Sequence, residues 1–306
     1  MTGRRTEPTD DYRLGLEALD AEVTDVELEV RGTLDESALQ RLVDDQSELD
    51  LTLVARADGV VSGTDFVVET YAQVDPQVRV RLSSEDGDRV SAGDVVAHVE
   101  GPSRSLLTGE RVALNFVGLL SGVATATARL VDLVEGTGAV VVDTRKTVPG
   151  LRAAQKRAVR HGGGANHRLG LDDAVMVKDN HLGLAGGLAP ALERLRRRPG
   201  PVGHMTRVEV EVDSLDQLDE LLAIESEQVA AGARPVVDVV LLDNMGPDEV
   251  RAAVAAIRSA RSGLLVEVSG GVTETSIRAL AEAGADVISA GALTHSAPWL
   301  DVALDL

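Results

Sequence analysis

The stretch Val236–Asn244 reads VVDVVLLDN, an apolar and mostly β-branched run that ends in an acid and an amide. A short apolar run bounded by such polar residues is typical of a strand buried on both faces of a parallel sheet. Six runs of this character follow residue 138: Ala139–Val142, Ala174–Val177, Val208–Val212, Val236–Leu242, Leu264–Val268 and Asp286–Ala290. Helical patterns lie between most of them, near 149–159, 187–197, 214–227, 247–260 and 273–283. This alternation predicts βα units around a parallel sheet.

Polar or glycine-rich residues follow all of these runs. In chain order they are Asp143–Lys146, Lys178–His181, Asp213, Asp243–Asn244, Ser269–Gly271 and Gly291–Ala292. An open Rossmann-like sheet collects its ligand residues at one switch point, whereas a barrel gathers them from the ends of all its strands. The pattern therefore favours an α/β barrel, and six strands instead of eight predict an incomplete one.

The first part of the chain has a different pattern of apolar and turn residues. A helical pattern over Leu34–Val43 precedes alternating stretches that turn residues separate, and these predict a small α+β domain over residues 1–107. The stretches are Asp50–Ala55, Gly59–Val61, Val78–Leu82 and Val95–Val99. Thr108 is predicted as the N-cap of a connecting helix over 108–134. The barrel domain then covers 135–294, and residues 295–306 are expected to pack back on the N-terminal domain.

The composition excludes several classes of function. The net charge of −20 over 306 residues argues against a protein that coats nucleic acid or an anionic membrane. The absence of cysteine excludes disulfides, Cys-ligated metals and thiol nucleophiles. The sequence has no apolar run of eighteen residues and no signal-like start, so a cytoplasmic location is expected. Only three of the thirty basic residues are lysine, which resembles salt-adapted acidic proteins, although GC-rich codon usage would explain it equally well.

All three lysines, Lys146, Lys156 and Lys178, fall in the same region as Arg145 and the histidine-rich run His161–Arg168. Guanidinium and ammonium groups bind carboxylate and phosphate oxygens, so this cluster predicts a small, multiply anionic ligand. The alternative is that these cations only neutralise neighbouring acids. Within the run, three consecutive glycines permit close approach of the backbone to a ligand, although glycine runs are also common in flexible loops.

Two further groups lie at the ends of the later strands. Ser269–Gly271 and Gly291–Ala292 resemble the phosphate site that many barrels build late in the chain. Glu211, Asp213 and Asp243 are placed either to hold Mg²⁺ through substrate phosphates or to stabilise positive charge on a sugar. The alternative for each acid is a solvated surface charge.

These motifs together resemble the quinolinate phosphoribosyltransferase family, densely from about residue 90 to 306. The resemblance is carried by Glu110–Asn115, Asp143–Thr147, Pro149–Leu151, Gly162–Arg168, Lys178–His181, Glu209–Val212, Leu242–Asn244, Ser269–Gly271 and Gly291–Ser296. It implies an N-terminal α/β sandwich joined to an incomplete α/β barrel, assembled as a homodimer or a higher oligomer. It also implies that quinolinate and phosphoribosyl pyrophosphate give nicotinate mononucleotide, pyrophosphate and CO₂, as in de novo NAD biosynthesis.

The resemblance assigns roles to positions of this chain. It implies Lys146, Glu211 and Asp243 as catalytic residues, with Mg²⁺ held through the substrate near the two acids and no direct protein ligand assigned. It implies that Arg111 crosses to the site of the neighbouring subunit. The other implied substrate-binding residues are Thr144, Arg145, His167, Arg168, Lys178, Ser269, Gly270, Gly271, Ala290, Gly291 and Ala292.

Several alternatives stay open at this point. A sister phosphoribosyltransferase for nicotinate would need fewer cations than Arg111, Arg145, Arg168 and Lys178 supply, and a molybdate-linked paralogue is poorly separated by sequence. A barrel lyase with a Schiff base on Lys146 or Lys178 and a non-catalytic binding module are further alternatives. The connection Ala223–Pro235 looks longer than is usual in the family and is expected to lie on the surface.

Overall fold

A computed structural model describes residues 48–197, 205–260 and 263–306, and the predicted helix over 34–43 lies outside them. Contacts divide the described residues into two compact units. Unit 1 contains residues 48–129, 146–166 and 291–306, and unit 2 contains residues 130–145 and the described part of 167–290. The units therefore interleave along the chain, whereas the predicted domains are consecutive segments.

Unit 1 is built on an antiparallel sheet of four strands in the order β12-β1-β5-β3. These strands are β1 (Glu48–Ala55), β3 (Arg79–Leu82), β5 (Val95–Pro102) and β12 (Val302–Asp305). Two short strands, β2 (Gly59–Val60) and β4 (Arg89–Val90), form a separate antiparallel pair. β12 pairs with β1, with Asp305 opposite Thr52, so the last residues of the chain complete the sheet of the first unit.

A long helix, α2 (Ser103–Leu133), follows a shorter helix, α1 (Thr64–Val74), and all of α2 up to Arg129 belongs to unit 1. Because α2 begins at Ser103, the predicted N-cap at Thr108 is wrong. The Thr108 hydroxyl instead donates a hydrogen bond of 2.8 Å to the Arg104 carbonyl inside the helix. A threonine can satisfy its hydroxyl on the preceding turn in this way, so its presence does not mark a helix start.

By length and composition α2 is apolar enough to cross a membrane. In the described structure, however, 72% of its most apolar stretch is buried inside the protein. Its Phe116 ring stacks on Phe66 of α1 with ring centroids 4.6 Å apart. Helix α3 (Arg152–His161) joins the same apolar cluster through Ala154, Ala158 and Val159. Extensive burial of this kind is characteristic of the core helix of a globular unit.

Unit 2 contains a six-stranded parallel sheet in the order β6-β11-β10-β9-β8-β7. The strands are β6 (Val140–Val142), β7 (Val175–Val177), β8 (Val208–Val212), β9 (Val239–Asp243), β10 (Leu265–Ser269) and β11 (Val287–Ser289). β6, the first of these strands along the chain, pairs with β11, the last, as in a barrel. The sheet does not close, because β6 and β7 are its two edge strands. The predicted incomplete α/β barrel is confirmed. The connection between its two edge strands contains α3, which belongs to unit 1.

The helices that follow the strands of unit 2 each bury apolar side chains. They are α4 (Asp179–Ala185), α5 (Leu188–Arg197), α6 (Leu215–Ala230), α7 (Pro247–Ala260) and α8 (Ile277–Glu282), and α9 (Ala292–His295) lies in unit 1. In β8 the valines at 208, 210 and 212 share one face, and Glu209 and Glu211 share the other, because side chains alternate along a strand. The strand thus directs both acids to the same side of the sheet.

Candidate active site

Asp143, at the carboxyl end of β6, is fully buried and organises the chain that enters β7. One of its carboxylate oxygens, Oδ1, accepts a hydrogen bond of 2.9 Å from the backbone amide of His167. A buried carboxylate that accepts a backbone amide fixes that peptide in place. Asp143 therefore positions the predicted pair His167 and Arg168 within unit 2.

His167 contacts two buried acids that the sequence analysis did not assign. Its Nε2 lies 3.4 Å from Glu209 Oε2 and 3.3 Å from Glu267 Oε2, and its Nδ1 accepts the Arg168 amide at 2.7 Å. Burial lowers the pKa of His167, but hydrogen bonds from the imidazole to Glu209 and Glu267 and the charges of these acids outweigh it and raise the pKa to about 9. The two acids therefore hold the imidazole through Nε2, while the Arg168 amide holds it through Nδ1.

Arg168 presents a guanidinium group to the same region. Its hydrogen bonds to the Ala174 carbonyl and the Met176 sulfur are both long, at 3.4 Å, and its Nε is buried without a hydrogen-bond partner among the described residues. Burial, followed by the neighbouring charge of Arg145, lowers the pKa of Arg168 below its ordinary value. The adjacent positive charges of Arg145 and Arg168 favour an anionic ligand that binds both guanidinium groups.

Lys178, between β7 and α4, is ion-paired with Glu211 of β8. Its side chain is 43% exposed, whereas that of Glu211 is only 13% exposed. The Lys178 amide donates to Nδ1 of His181 at 2.9 Å, and this bond closes the first turn of α4. The pair gives the site one ammonium group whose remaining donors reach solvent or a ligand, and it neutralises a carboxylate at the end of β8.

The ends of β9 and β10 interlock. The backbone amide of Asn244 donates to the Ser269 carbonyl at 2.8 Å, and its side-chain amide donates to Oδ2 of Asp243 at 2.7 Å. Gly270 has a φ of +92°, and a Cβ atom there would lie 2.1 Å from Oδ1 of Asn244. Only glycine tolerates both the positive φ and the close contact with Asn244. The end of β9, which carries Asp243, and the predicted phosphate loop after β10 therefore pack directly against each other.

The remaining predicted residues occupy both units. In unit 2, Thr144 and Arg145 follow β6, Gly271 follows Gly270, and Ala290 is buried after β11, where its amide donates to the Val142 carbonyl at 3.0 Å. Arg111, Lys146, Gly291 and Ala292 belong to unit 1. Arg111 is exposed on α2.

Lys146 is exposed. Its backbone is held by Thr294, whose hydroxyl donates a hydrogen bond of 2.8 Å to the Lys146 carbonyl. A Cβ atom at Gly291 would lie 3.1 Å from Cδ of Lys146 and 3.2 Å from Nε2 of His295, so glycine permits the lysine and the histidine to converge. This part of unit 1 therefore offers an ammonium group, an imidazole and a glycine backbone, a combination suited to phosphate.

Asp143, Glu209 and Glu267 are the site residues that sequence reasoning missed. Glu209 and Glu267 lie inside runs made mostly of valine and leucine, and a charged residue is rarely fully buried without a partner. That anomaly was a usable signal, but the sequence does not reveal the partner, His167, which lies far away along the chain.

An incomplete α/β barrel that gathers guanidinium groups, an imidazole and glycine loops defines an enzyme class acting on small, multiply anionic substrates. Family models for the N-terminal and C-terminal domains of quinolinate phosphoribosyltransferase match residues 37–121 and 123–305. The chain belongs to the quinolinate phosphoribosyltransferase family, and both the fold and the resemblance inferred from sequence are confirmed.

Relatives and solved structures agree with this assignment. The chain is 42% identical over 258 residues to the nicotinate-nucleotide pyrophosphorylase [carboxylating] of Mycobacterium leprae, covering 83% of this chain and 85% of the relative. It is 41% identical over 254 residues to a probable enzyme of that name from Synechocystis, covering 83% and 81%. The crystal structure of NadC from Streptococcus pyogenes matches with a TM-score of 0.81 and 33% identity, covering 99% of this chain and 98% of that one.

Proposed function

We propose that this chain transfers the phosphoribosyl group of phosphoribosyl pyrophosphate to the ring nitrogen of quinolinate. The products are nicotinate mononucleotide, pyrophosphate and CO₂. The observation that carries this function is the pair of adjacent guanidinium groups, Arg145 and Arg168, in a chain whose net charge is −20. Family membership and relatives named for this reaction support it.

The cationic residues of unit 2 are proposed to bind quinolinate. Arg145 and Arg168 would each pair with oxygens of a ring carboxylate, because a planar guanidinium donates two parallel hydrogen bonds to it. Lys178 would supply further positive charge, His167 an imidazole, and Thr144 a hydroxyl donor. A dicarboxylate makes use of all these donors, whereas nicotinate has a single carboxylate. The cluster thus favours quinolinate over nicotinate.

The remaining predicted residues are proposed to bind phosphoribosyl pyrophosphate. The backbone of Ser269, Gly270 and Gly271 would donate to phosphate oxygens, and Ala290 fixes the end of the adjacent strand. In unit 1, Lys146, Gly291 and Ala292 are proposed for phosphate as well.

The donor set at the end of β9 fits Mg²⁺. Asp243 is a half-buried carboxylate with oxygen atoms at the strand end, and Mg²⁺ prefers such oxygen donors together with substrate phosphates and water. We propose that Asp243 holds the ion through water and the substrate. When bound, Mg²⁺ would neutralise charge on the departing pyrophosphate. The His167, Glu209 and Glu267 group is a poorer match, because it includes an imidazole nitrogen and two acids that the imidazole already contacts.

The chain's own contribution to the chemistry is orientation and charge. The ring nitrogen of quinolinate displaces pyrophosphate from the ribose, and positive charge develops on the sugar as the bond breaks. Glu211 and Asp243 would stabilise that charge, and the fixed guanidinium groups would align the ring. Once the nitrogen is quaternary, the ring accepts the electron pair released as the adjacent carboxylate leaves as CO₂. Protonation of that carbon then yields nicotinate mononucleotide.

The test of this function is a product assay with the purified chain. Incubation with quinolinate, phosphoribosyl pyrophosphate and Mg²⁺ should release nicotinate mononucleotide and CO₂ in equal amounts, at low or at molar KCl. Nicotinate in place of quinolinate should give no CO₂ and little nucleotide. If the folded chain forms no product at any salt concentration, or prefers nicotinate, the proposal is wrong. Borohydride trapping of a lysine adduct would instead indicate Schiff-base chemistry.

We further propose that the enzyme is a homodimer in which Arg111 serves the site of the neighbouring subunit. Arg111→Ala and Arg168→Ala should each be inactive alone, but mixed and reassembled they should recover about one quarter of wild-type activity, because half the dimers are hybrids with one intact site. If Arg111 serves its own subunit, the mixture stays inactive. A cytoplasmic location and a salt-adapted surface remain predictions of the sequence.

A further inference from the structure

Gln155 of α3 is a fully buried polar side chain that has no part in the proposed reaction. Both ends of its amide bond to backbone groups outside the helix. The side-chain oxygen Oε1 accepts a hydrogen bond of 2.8 Å from the Val148 amide, and Nε2 donates one of 2.8 Å to the Thr294 carbonyl. A buried amide bonded in this way constrains both of its partners, because a buried polar group is costly to leave unpaired.

The two segments that Gln155 joins carry the proposed phosphate-binding residues of unit 1. The first is the Lys146 segment (Lys146–Val148), and the second is the Gly291 segment (Gly291–His295), which contains Thr294. Thr294 is also buried, and its hydroxyl donates to the Lys146 carbonyl at 2.8 Å. Hydrogen bonds therefore form a closed ring that runs from α3 through both segments and back to Gln155.

The helix that carries Gln155 is a firm support for this ring. One face of α3 packs in the apolar cluster with α2 through Ala154 and Ala158. At the end of α3, Gly162 lies so close to α2 that an added Cβ atom would be 2.3 Å from the Ala124 carbonyl oxygen. A side chain on a packed helix holds its partners more precisely than a side chain on a loop does.

The chemistry of the two partners explains why residue 155 is an amide. The Val148 backbone amide only donates and the Thr294 carbonyl only accepts, so the side chain between them must provide one acceptor and one donor. Neither an ionised acid nor a lysine meets both needs, whereas glutamine does. The reversed orientation of the Gln155 amide would place N–H against N–H and oxygen against oxygen, so the two partners also fix its orientation.

We propose that Gln155 is a positioning residue that sets the distance between the Lys146 segment and the Gly291 segment. It thereby holds the donors of both segments in place for the phosphates of phosphoribosyl pyrophosphate. Because the Gln155 amide is fully buried, it acts through these segments and not by contact with the substrate. The identity of the ligand rests on the proposed function, whereas the hydrogen-bonded ring does not.

Gln155→Met tests this role because it keeps the length of the side chain and removes both hydrogen bonds. The probe is inorganic pyrophosphate with Mg²⁺, whose binding is measured by isothermal titration calorimetry without turnover. Gln155→Met should weaken this binding on the order of tenfold, because displaced donors lose part of their contact with the phosphates. Thr294→Val removes only the hydroxyl that reaches Lys146, and it should weaken the binding in the same direction.

The matched control is Gln73→Met, the same exchange on another helix of unit 1. The Gln73 side chain donates at 2.8 Å to Oε1 of Glu69, which lies on the same helix, α1. Gln73→Met should therefore bind pyrophosphate as the wild type does. Thermal unfolding of the three variants shows which of them are folded, and Thr294→Val keeps the test available if Gln155→Met does not fold.

Steady-state kinetics give a readout that a merely structural role would not produce. In Gln155→Met the KM for phosphoribosyl pyrophosphate should rise about tenfold. The KM for quinolinate, measured at saturating phosphoribosyl pyrophosphate, should stay within about twofold of the wild type. A merely structural role would lower the amount of active enzyme and leave both KM values unchanged.

Several outcomes would overturn the proposal. They are unchanged pyrophosphate binding in a folded Gln155→Met or Thr294→Val protein, equal rises in the two KM values, and an equal loss of binding in Gln73→Met. Loss of the fold in both ring variants would assign the ring to stability instead, and a wild type that does not bind pyrophosphate would show that the two segments form no phosphate site. If pyrophosphate binds as expected but no product forms with quinolinate, the proposed substrate fails and the positioning role stands.

Discussion

Arg168→Ala should lower kcat/KM for quinolinate on the order of a thousandfold while leaving the fold intact. The substitution removes a guanidinium proposed to make two charge-assisted hydrogen bonds, each contributing about 1.5–3 kcal/mol, and about 1.4 kcal/mol corresponds to a factor of ten. Its internal hydrogen bonds, to Ala174 and Met176, are both 3.4 Å long, so little folding energy depends on them. Steady-state kinetics with varied quinolinate, together with thermal unfolding, measure both quantities.

The matched control is Arg251→Ala, which removes an arginine of the same size from α7. Arg251 is 59% exposed and pairs with the exposed Asp248 of the same helix, and such surface pairs contribute about 0–1 kcal/mol. Its kcat/KM should equal that of the wild type. Near-normal kinetics in Arg168→Ala would remove this arginine from the site, and equal losses in both variants would point to a nonspecific effect of charge.

Gly162→Ala should destabilise the protein by about 3 kcal/mol or leave it insoluble, a severe overpacking effect for one methyl group. Gly162 ends α3, and a Cβ atom there would lie 2.3 Å from the Ala124 carbonyl oxygen and 2.7 Å from Cβ of Thr127, both on α2. Its φ of −77° is open to any residue, so the obstacle is space and not backbone strain. Urea unfolding at fixed pH and salt measures the free energy of unfolding.

Gly183→Ala provides the comparison for this stability prediction. Gly183 lies inside α4, and a Cβ atom there would meet nothing within 4 Å. Alanine in a helix interior is favoured over glycine by about 0.5–1 kcal/mol, so this variant should be slightly more stable than the wild type. If the two substitutions change the free energy of unfolding equally, the close approach of α3 to α2 is not the cause.

The sequence predicted the barrel because strands buried on both faces are apolar throughout and end in polar residues. That signal is local, and it located all six strands of unit 2 to within a few residues. Helix boundaries were less secure. Thr108 fits an N-cap as well as it fits a helix interior, and only the position of Ser103 after β5 decides between them. The interleaving of the two units was also beyond local signals, since it depends on which core receives α3.

The candidate site residues also divide into those that the sequence predicted and those that only the folded structure brought together. Residue type and order along the chain predicted Arg145, Arg168 and Lys178 as substrate-binding cations, because a positive cluster in a chain of charge −20 stands out without any structure. Tertiary structure alone decided that Glu209 and Glu267 meet at His167, and that Lys178 is paired with Glu211. The physical reason is that the residue type alone shows which side chains can carry a charge. Their protonation state and their partners depend on burial and on strands that become neighbours only in the folded sheet.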